Sequence, residues 1–377
     1  MTTDDAALRS ALAEQLTAGG HIRTEPWRDA ARAVPRHEFL RGGFFEQVRR
    51  PGPAAWRPVL ADDSEWLASC YRDESLVTQI AGTVVPDDIS GEIRREPTSS
   101  STLPGLVLRM LEDLEVADGH RVLEIGTGTG YSAGLLSHRL GDELVTSVEV
   151  DPDMSARAAA GLWAAGFEPH LVVGDGLLGY PPDGPYDRLV ATCGVVDLPA
   201  TWLDQVRPRG IILATLGGWL QSSELARLTV GEDGTARGHF LGGHVSFMLA
   251  RPQLPPPVGV LPDIDGTTER VAKISPDVLD DWDTRFVAQL AAPRAQRLAL
   301  ERDGVTETVL LDAAAGSWAA LRQMGRTWTV RQGGPDALWD AVEDSVGRYV
   351  SDGAPDLTRF EIAVGPGGLS ATWPRAA

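Results

Sequence analysis

The 377-residue chain is almost without lysine and cysteine. Cys70 and Cys193 are the only two cysteines and lie far apart, which excludes a disulfide framework and a cysteine zinc site. Lys273 is the single lysine, so 33 of the 34 basic residues are arginine, a bias of base composition that carries no mechanism. Basic charge is in deficit, 34 residues against 53 acidic ones, for a net charge of −19. A nucleic-acid partner is therefore not expected, because binding a phosphate backbone requires a basic surface. No apolar run approaches the roughly 20 residues of a membrane-spanning helix. The opening MTTDDAALRS has neither the basic nor the apolar region of a signal peptide. These absences lead to the expectation of a cytoplasmic protein without membrane partner. Hydrophobic residues make up 43% of the chain, enough for a sizeable core, and the length suggests two domains.

Residues 6–16 and 25–34 have helical spacing and end at Gly19-Gly20 and Pro35. Residues 41–100 are turn-rich with few periods, so 1–103 reads as a helical cap region. From 104 to 254 helical and strand patterns alternate, the signature of a parallel α/β sheet. This stretch closes on an expected hairpin of ELARLTV (224–230) and HVSFMLA (244–250). Five prolines in PQLPPPVGVLP (252–262) preclude helix and favour an extended linker. Beyond it, 263–377 holds its own helix and strand candidates and five tryptophans, Trp282, Trp318, Trp328, Trp339 and Trp373, enough for a small α+β accessory domain. These tryptophans read as core more readily than as a peptide groove.

The strongest motif is VLEIGTGTGYS (122–132), a buried strand entering a glycine-rich turn that opens a helix. Glycine is needed where backbone dihedrals are unusual and where a ligand approaches the main chain. Glu149 closes the next strand, 19 residues after Gly130, where a carboxylate accepts ribose hydroxyls. Asp175, in Gly174-Asp175-Gly176, ends the strand after that, where it meets an adenine amino group. A dinucleotide G-x-G-x-x-G read from Gly126 requires glycine at 131, which is Tyr131. A Walker lysine is absent. The expected ligand is S-adenosyl-L-methionine (SAM), held by Glu124, Gly126, Thr127, Gly128, Gly130, Tyr131, Glu149, Val150, Asp175 and Gly176.

These residues resemble a class I SAM-dependent methyltransferase, a Rossmann-like doubly wound α/β fold. The segment 174–213, the upstream VPRHEF (34–39) and Tyr71-Arg72-Asp73 resemble the protein-L-isoaspartate O-methyltransferase family in content and order, over about residues 25–250. Where that family carries Thr-Ile-Ser-x-Pro, this chain has Ser100-Ser101-Thr102-Leu103-Pro104, a threonine replacing the serine. The insertion at 49–69 and the residues after Pro262 resemble the actinobacterial subgroup acting on ribosomally made graspetide, lasso or lanthipeptide precursors. The resemblance implies methylation of one Asp side chain of a macrocyclised precursor peptide, leading to aspartimide or isoaspartate.

On that resemblance Thr102 is the expected catalytic residue, orienting the substrate carboxylate, with Ser101 as its neighbouring alternative. Ser100, Tyr71 and His37 are expected to line the substrate site, and no metal is expected. A carboxylate is ionised at neutral pH and attacks the methyl group without a general base. Read without the resemblance, Ser99–Thr102 is a helix N-cap and turn. Two alternatives to peptide tailoring remain at this level. One is general isoaspartate repair, which needs no accessory domain; the other is a SAM-binding scaffold without turnover, kept open by the threonine.

Overall fold

The computed structural model describes residues 5–259, 261–262, 264, 268–302 and 304–375. The chain divides into two compact units, Met1–Thr192 with Thr201–Leu213, and Cys193–Ala200 with Ala214–Ala377. Among the described residues no helix is long and apolar enough to cross a membrane.

The first unit opens with helices Asp5–Ala18 and Glu25–Ala33. The turn-rich region that follows folds into a four-stranded antiparallel sheet ordered Trp56–Val59, Phe44–Gln47, Leu76–Ile80, Pro97–Ser101. Sequence periodicity misses this sheet for two reasons. Leu76–Ile80 is buried along its whole length, with Thr78 and Gln79 inside, so it shows no alternation. Pro97–Ser101 is a proline followed by four hydroxyl residues. The expected N-cap at Ser99–Thr102 is thus replaced by a strand, and Leu103 occupies the N-cap of helix Pro104–Asp113 without a side-chain bond. The sheet closes over Phe45, Val77 and Ile80.

The α/β part of this unit is a parallel sheet. Val122–Ile125 pairs on one side with Val145–Glu149, which pairs onward with His170–Val173, and on the other with Tyr186–Val195. The chain therefore leaves Val122–Ile125 in both directions, and the carboxyl end of that strand is a topological switch point, where open α/β sheets bind ligands. Helices Tyr131–Leu140 and Pro152–Ala165 connect the strands.

The second unit contains antiparallel strands ordered Glu224–Val230, Ala236–Phe240, Glu361–Gly365, Gly368–Thr372. The partner of Glu224–Val230 is therefore Ala236–Phe240, not residues 244–250. A tight turn closed by Gly231 N–H to the Thr235 carbonyl (2.7 Å) brings Ala236 opposite Val230, and in 244–250 Leu249 makes an isolated bridge with Gly194. A second sheet runs Arg270–Val271, Thr327–Gly333, Ser317–Met324, Val305–Asp312, Gln296–Arg302. Helices Trp282–Ala291 and Leu338–Ser351 complete the unit. Val258 and Leu261 of the proline stretch pack against Val309, Leu311, Trp318 and Ala320. Trp318 and Trp339 are buried, while Trp282, Trp328 and Trp373 are partly exposed.

Candidate functional site

Three neighbouring parallel strands of the first unit bring the expected cofactor residues to one edge. Ile125 lies beside Val148, and Glu149 beside Val173, so the glycine turn, Glu149 and Asp175 leave adjacent strand ends. Gly126, Gly128 and Gly130 have φ of +92°, +55° and +90°, the left-handed region that side chains with a Cβ rarely adopt. A Cβ built on Gly128 meets nothing closer than the Ser100 carbonyl oxygen at 3.7 Å, so the outer surface of the turn is an open cradle. At Gly176 the constraint is steric instead: a Cβ falls 2.5 Å from Cγ2 of Ile125.

The acids divide into two kinds. Glu149 accepts the Gly128 N–H (2.9 Å) and the Asp151 N–H (3.1 Å), which fixes its carboxylate beside the turn. Asp175 is half-buried and accepts the Leu177 N–H at 2.9 Å. Glu124, by contrast, is wholly buried and engaged from below, by Ser132 Oγ and by Ser147 Oγ at 2.6 Å. Burial raises its pKa to about 7 against the two serine hydrogen bonds. Thr127 is also buried, its hydroxyl 2.6 Å from Ser147 Oγ. Glu124 and Thr127 therefore brace the turn from the core side. Tyr131 is core as well, 4% exposed, edge-on to Phe39 and with the Arg36 guanidinium 5.8 Å from its ring centre. Val150 is 39% exposed at the strand end.

The substrate-side residues are gathered by one side chain that sequence reasoning did not single out. Arg36, within VPRHEF, is fully buried, and its guanidinium reaches two separate segments. It donates to the carbonyls of Cys70 (3.0 Å), Arg72 (2.9 Å) and Glu74 (3.0 Å). It also donates to the carbonyls of Ser101 and Thr102 (3.1 Å each) and to Ser101 Oγ (3.3 Å). All five guanidinium N–H groups have acceptors within reach. The motif thus holds 100–102 against 70–74 and, through Ser100, beside Gly128.

Ser101 is buried, its Oγ accepting from Arg36 Nε, whereas Thr102 and Ser100 are half-buried. His37 Nδ1 and Tyr71 Oη lie 2.6 Å apart, and burial lowers the imidazole pKa against the nearby Glu38 carboxylate. Asp73 Oδ1 accepts the Gly105 N–H at 2.7 Å, pinning the start of the helix after Thr102. A further buried link runs from Thr98 Oγ1 to Gln79 Oε1 (2.8 Å) and from Gln79 Nε2 to Asp151 (2.9 Å), tying the antiparallel sheet to the strand end that carries Glu149.

A glycine cradle with a carboxylate at each of the next two strand ends is a donor set suited to an adenosine-bearing ligand without a pyrophosphate. Comparison with known proteins agrees. The sequence profile of protein-L-isoaspartate(D-aspartate) O-methyltransferase (PCMT) matches residues 67–241. The chain is 31% identical over 249 residues to the protein-L-isoaspartate O-methyltransferase of Methanopyrus kandleri, spanning 64% of this chain and 92% of that protein. It is 29% identical over 237 residues to the protein of the same name from Thermococcus onnurineus, spanning 62% and 89%. A solved structure of a protein-L-isoaspartate O-methyltransferase shares the fold with a TM-score of 0.57 at 22% identity, over 97% of this chain and 99% of that one. The fold is that of a class I SAM-dependent methyltransferase, and the chain belongs to the protein-L-isoaspartate O-methyltransferase family.

Proposed function

We propose that the chain transfers a methyl group from SAM to a carboxylate of an isoaspartyl residue in a peptide or protein, as a repair methyltransferase. Bound SAM supplies a methyl group activated by the adjoining sulfonium. Glu149 accepts the ribose hydroxyls, Asp175 the adenine amino group, and the turn Gly126–Gly130 gives the ligand access to the main chain. Thr102 orients the substrate carboxylate by donating its hydroxyl hydrogen, with Ser100, Tyr71 and His37 beside it. The nucleophile is already ionised at neutral pH, so alignment and partial desolvation are the chain's contribution. Ser101 is a weaker choice for that role because it is only 2% exposed. The observation that carries this reading is the placement of Ser100–Thr102 by Arg36 against the open face of the glycine turn.

A second reading, methylation of one Asp in a macrocyclised ribosomal peptide with collapse to aspartimide or isoaspartate, is favoured by Thr102 standing where the family has serine. In that reading 263–377 recognises the modified precursor. Intact-mass measurement on an isoaspartyl hexapeptide and its aspartyl counterpart, each with SAM, separates the two. Repair requires a one-methyl gain on the isoaspartyl peptide alone. No gain from a preparation that binds SAM favours the dedicated substrate.

A further inference from the structure

The second unit has a cleft of about 630 Å³ along strand Gly368–Thr372. That strand pairs with Glu361–Gly365, and among the described residues no strand lies on its other side. Natural sheet edges are guarded by charge, proline or a bulge, yet GLSAT has neither charge nor proline. Gly365 and Gly368 flank a two-residue turn, so the ladder alternation turns the main-chain groups of Leu369 and Ala371 outward. Both residues line the cleft. The far end of the strand is held rigidly: Trp373 packs on Phe360 (4.9 Å) and Tyr349 (5.8 Å) and donates its indole N–H to Asp352 at 3.1 Å.

The charges of the cleft are unevenly satisfied. Its two carboxylates are engaged, Asp352 by Trp373 and Asp197 by Arg294. Its two guanidiniums, Arg348 and Arg375, have no carboxylate partner among the described residues. Arg348 donates Nε to the Asp344 carbonyl of its own helix at 3.2 Å, leaving its terminal nitrogens for another acceptor.

We propose that this cleft binds an extended, carboxylate-bearing peptide segment by strand addition to Gly368–Thr372, with Arg348 and Arg375 receiving the peptide's acidic side chains. Main-chain pairing supplies affinity without sequence preference, and the arginines select for acid. The inference rests on the reading that the substrate is a polypeptide, and it gives the second unit the task of holding part of that polypeptide.

The test is fluorescence anisotropy of the full chain with a fluorescein-labelled decapeptide of alternating valine and glutamate, against the same peptide with lysine for glutamate. The acidic probe should bind at least about tenfold more tightly. The double variant Arg348→Glu/Arg375→Glu, at exposed positions, should abolish that preference, and Ala371→Pro should weaken binding of the acidic probe. Methylation of an isoaspartyl hexapeptide should be unchanged in the arginine variant. Equal binding of both probes, or wild-type affinity in the arginine variant, overturns the proposal. So does a dimer that Ala371→Pro dissolves in a protein indifferent to the probe, since a second copy then occupies the edge. Failure to methylate the hexapeptide while the acidic probe still binds would fault the functional reading and leave this site standing.

Discussion

Arg36→Met removes the guanidinium but keeps much of the apolar volume. Of the six acceptors it serves, the carbonyls of Cys70 and Ser101 are deeply buried, and those of Arg72, Glu74 and Thr102 are closer to solvent. A buried carbonyl left without a partner costs about 1–3 kcal/mol, while the outer three recover water. Two such groups give about 2–6 kcal/mol, a large share of the 5–15 kcal/mol typical of a domain. At about 2–4 °C per kcal/mol for a unit of roughly 200 residues, the melting temperature should fall on the order of 10 °C. Arg36→Lys should recover only part of this, because an ammonium has three donors and no planar fork. Calorimetry of both variants and of wild type, without ligand, checks the size. The kinetic expectation is specific: methyl transfer by Arg36→Lys should drop more than SAM affinity does, because the segment displaced carries Thr102 and not the glycine turn. A melting shift below about 2 °C in Arg36→Met, or equal losses of SAM affinity and turnover in Arg36→Lys, would refute the placement of Arg36 as the clamp.

Other consequences follow from the cofactor edge. Because folding raises the Glu124 pKa to about 7, the folded state keeps a proton that the unfolded state has lost, and stability from this group falls as pH rises from about 4.5 to about 7. The loss is about 3 kcal/mol, so melting curves of Glu124→Gln should be flatter than wild type across that window; parallel curves would contradict the raised pKa. Gly176→Ala places a methyl group against Ile125 and should destabilise by about 1–3 kcal/mol in urea unfolding, with no such cost at a solvent-exposed glycine. Glu149→Ala should weaken SAM binding by about 10–100-fold in equilibrium dialysis, the worth of hydrogen bonds to a charged acceptor, and an unchanged affinity would remove Glu149 from the site.

The strand–turn–helix order around Gly126–Gly130 and the strand ends that carry Glu149 and Asp175 were legible because their parts are local: each acid or glycine follows a hydrophobic strand, and neighbouring strands then fall side by side. Glu124 sits in the same motif as the turn, yet alternation along Val122–Ile125 is hidden because the whole strand is buried, so its inward direction was not visible. Arg36 escaped notice because its acceptors lie 34 to 66 residues away and are main-chain carbonyls, which leave no trace in side-chain pattern. By residue type alone the serine run fits a cap before a Pro-led helix, while pairing of Leu76 with Ser101 makes Pro97–Ser101 a strand.

In the proposed function Thr102 presents an aspartate-derived carboxylate to SAM held by the turn Gly126–Gly130. The most direct measurement is methyl ester formation on the isoaspartyl hexapeptide by wild type, Thr102→Ser and Thr102→Ala, with SAM affinity measured in parallel. All three should bind SAM alike, the serine variant should stay within a few-fold of wild type, and the alanine variant should lose about tenfold or more, the cost of one hydrogen bond to a charged group. An alanine variant with undiminished ester formation would contradict that role.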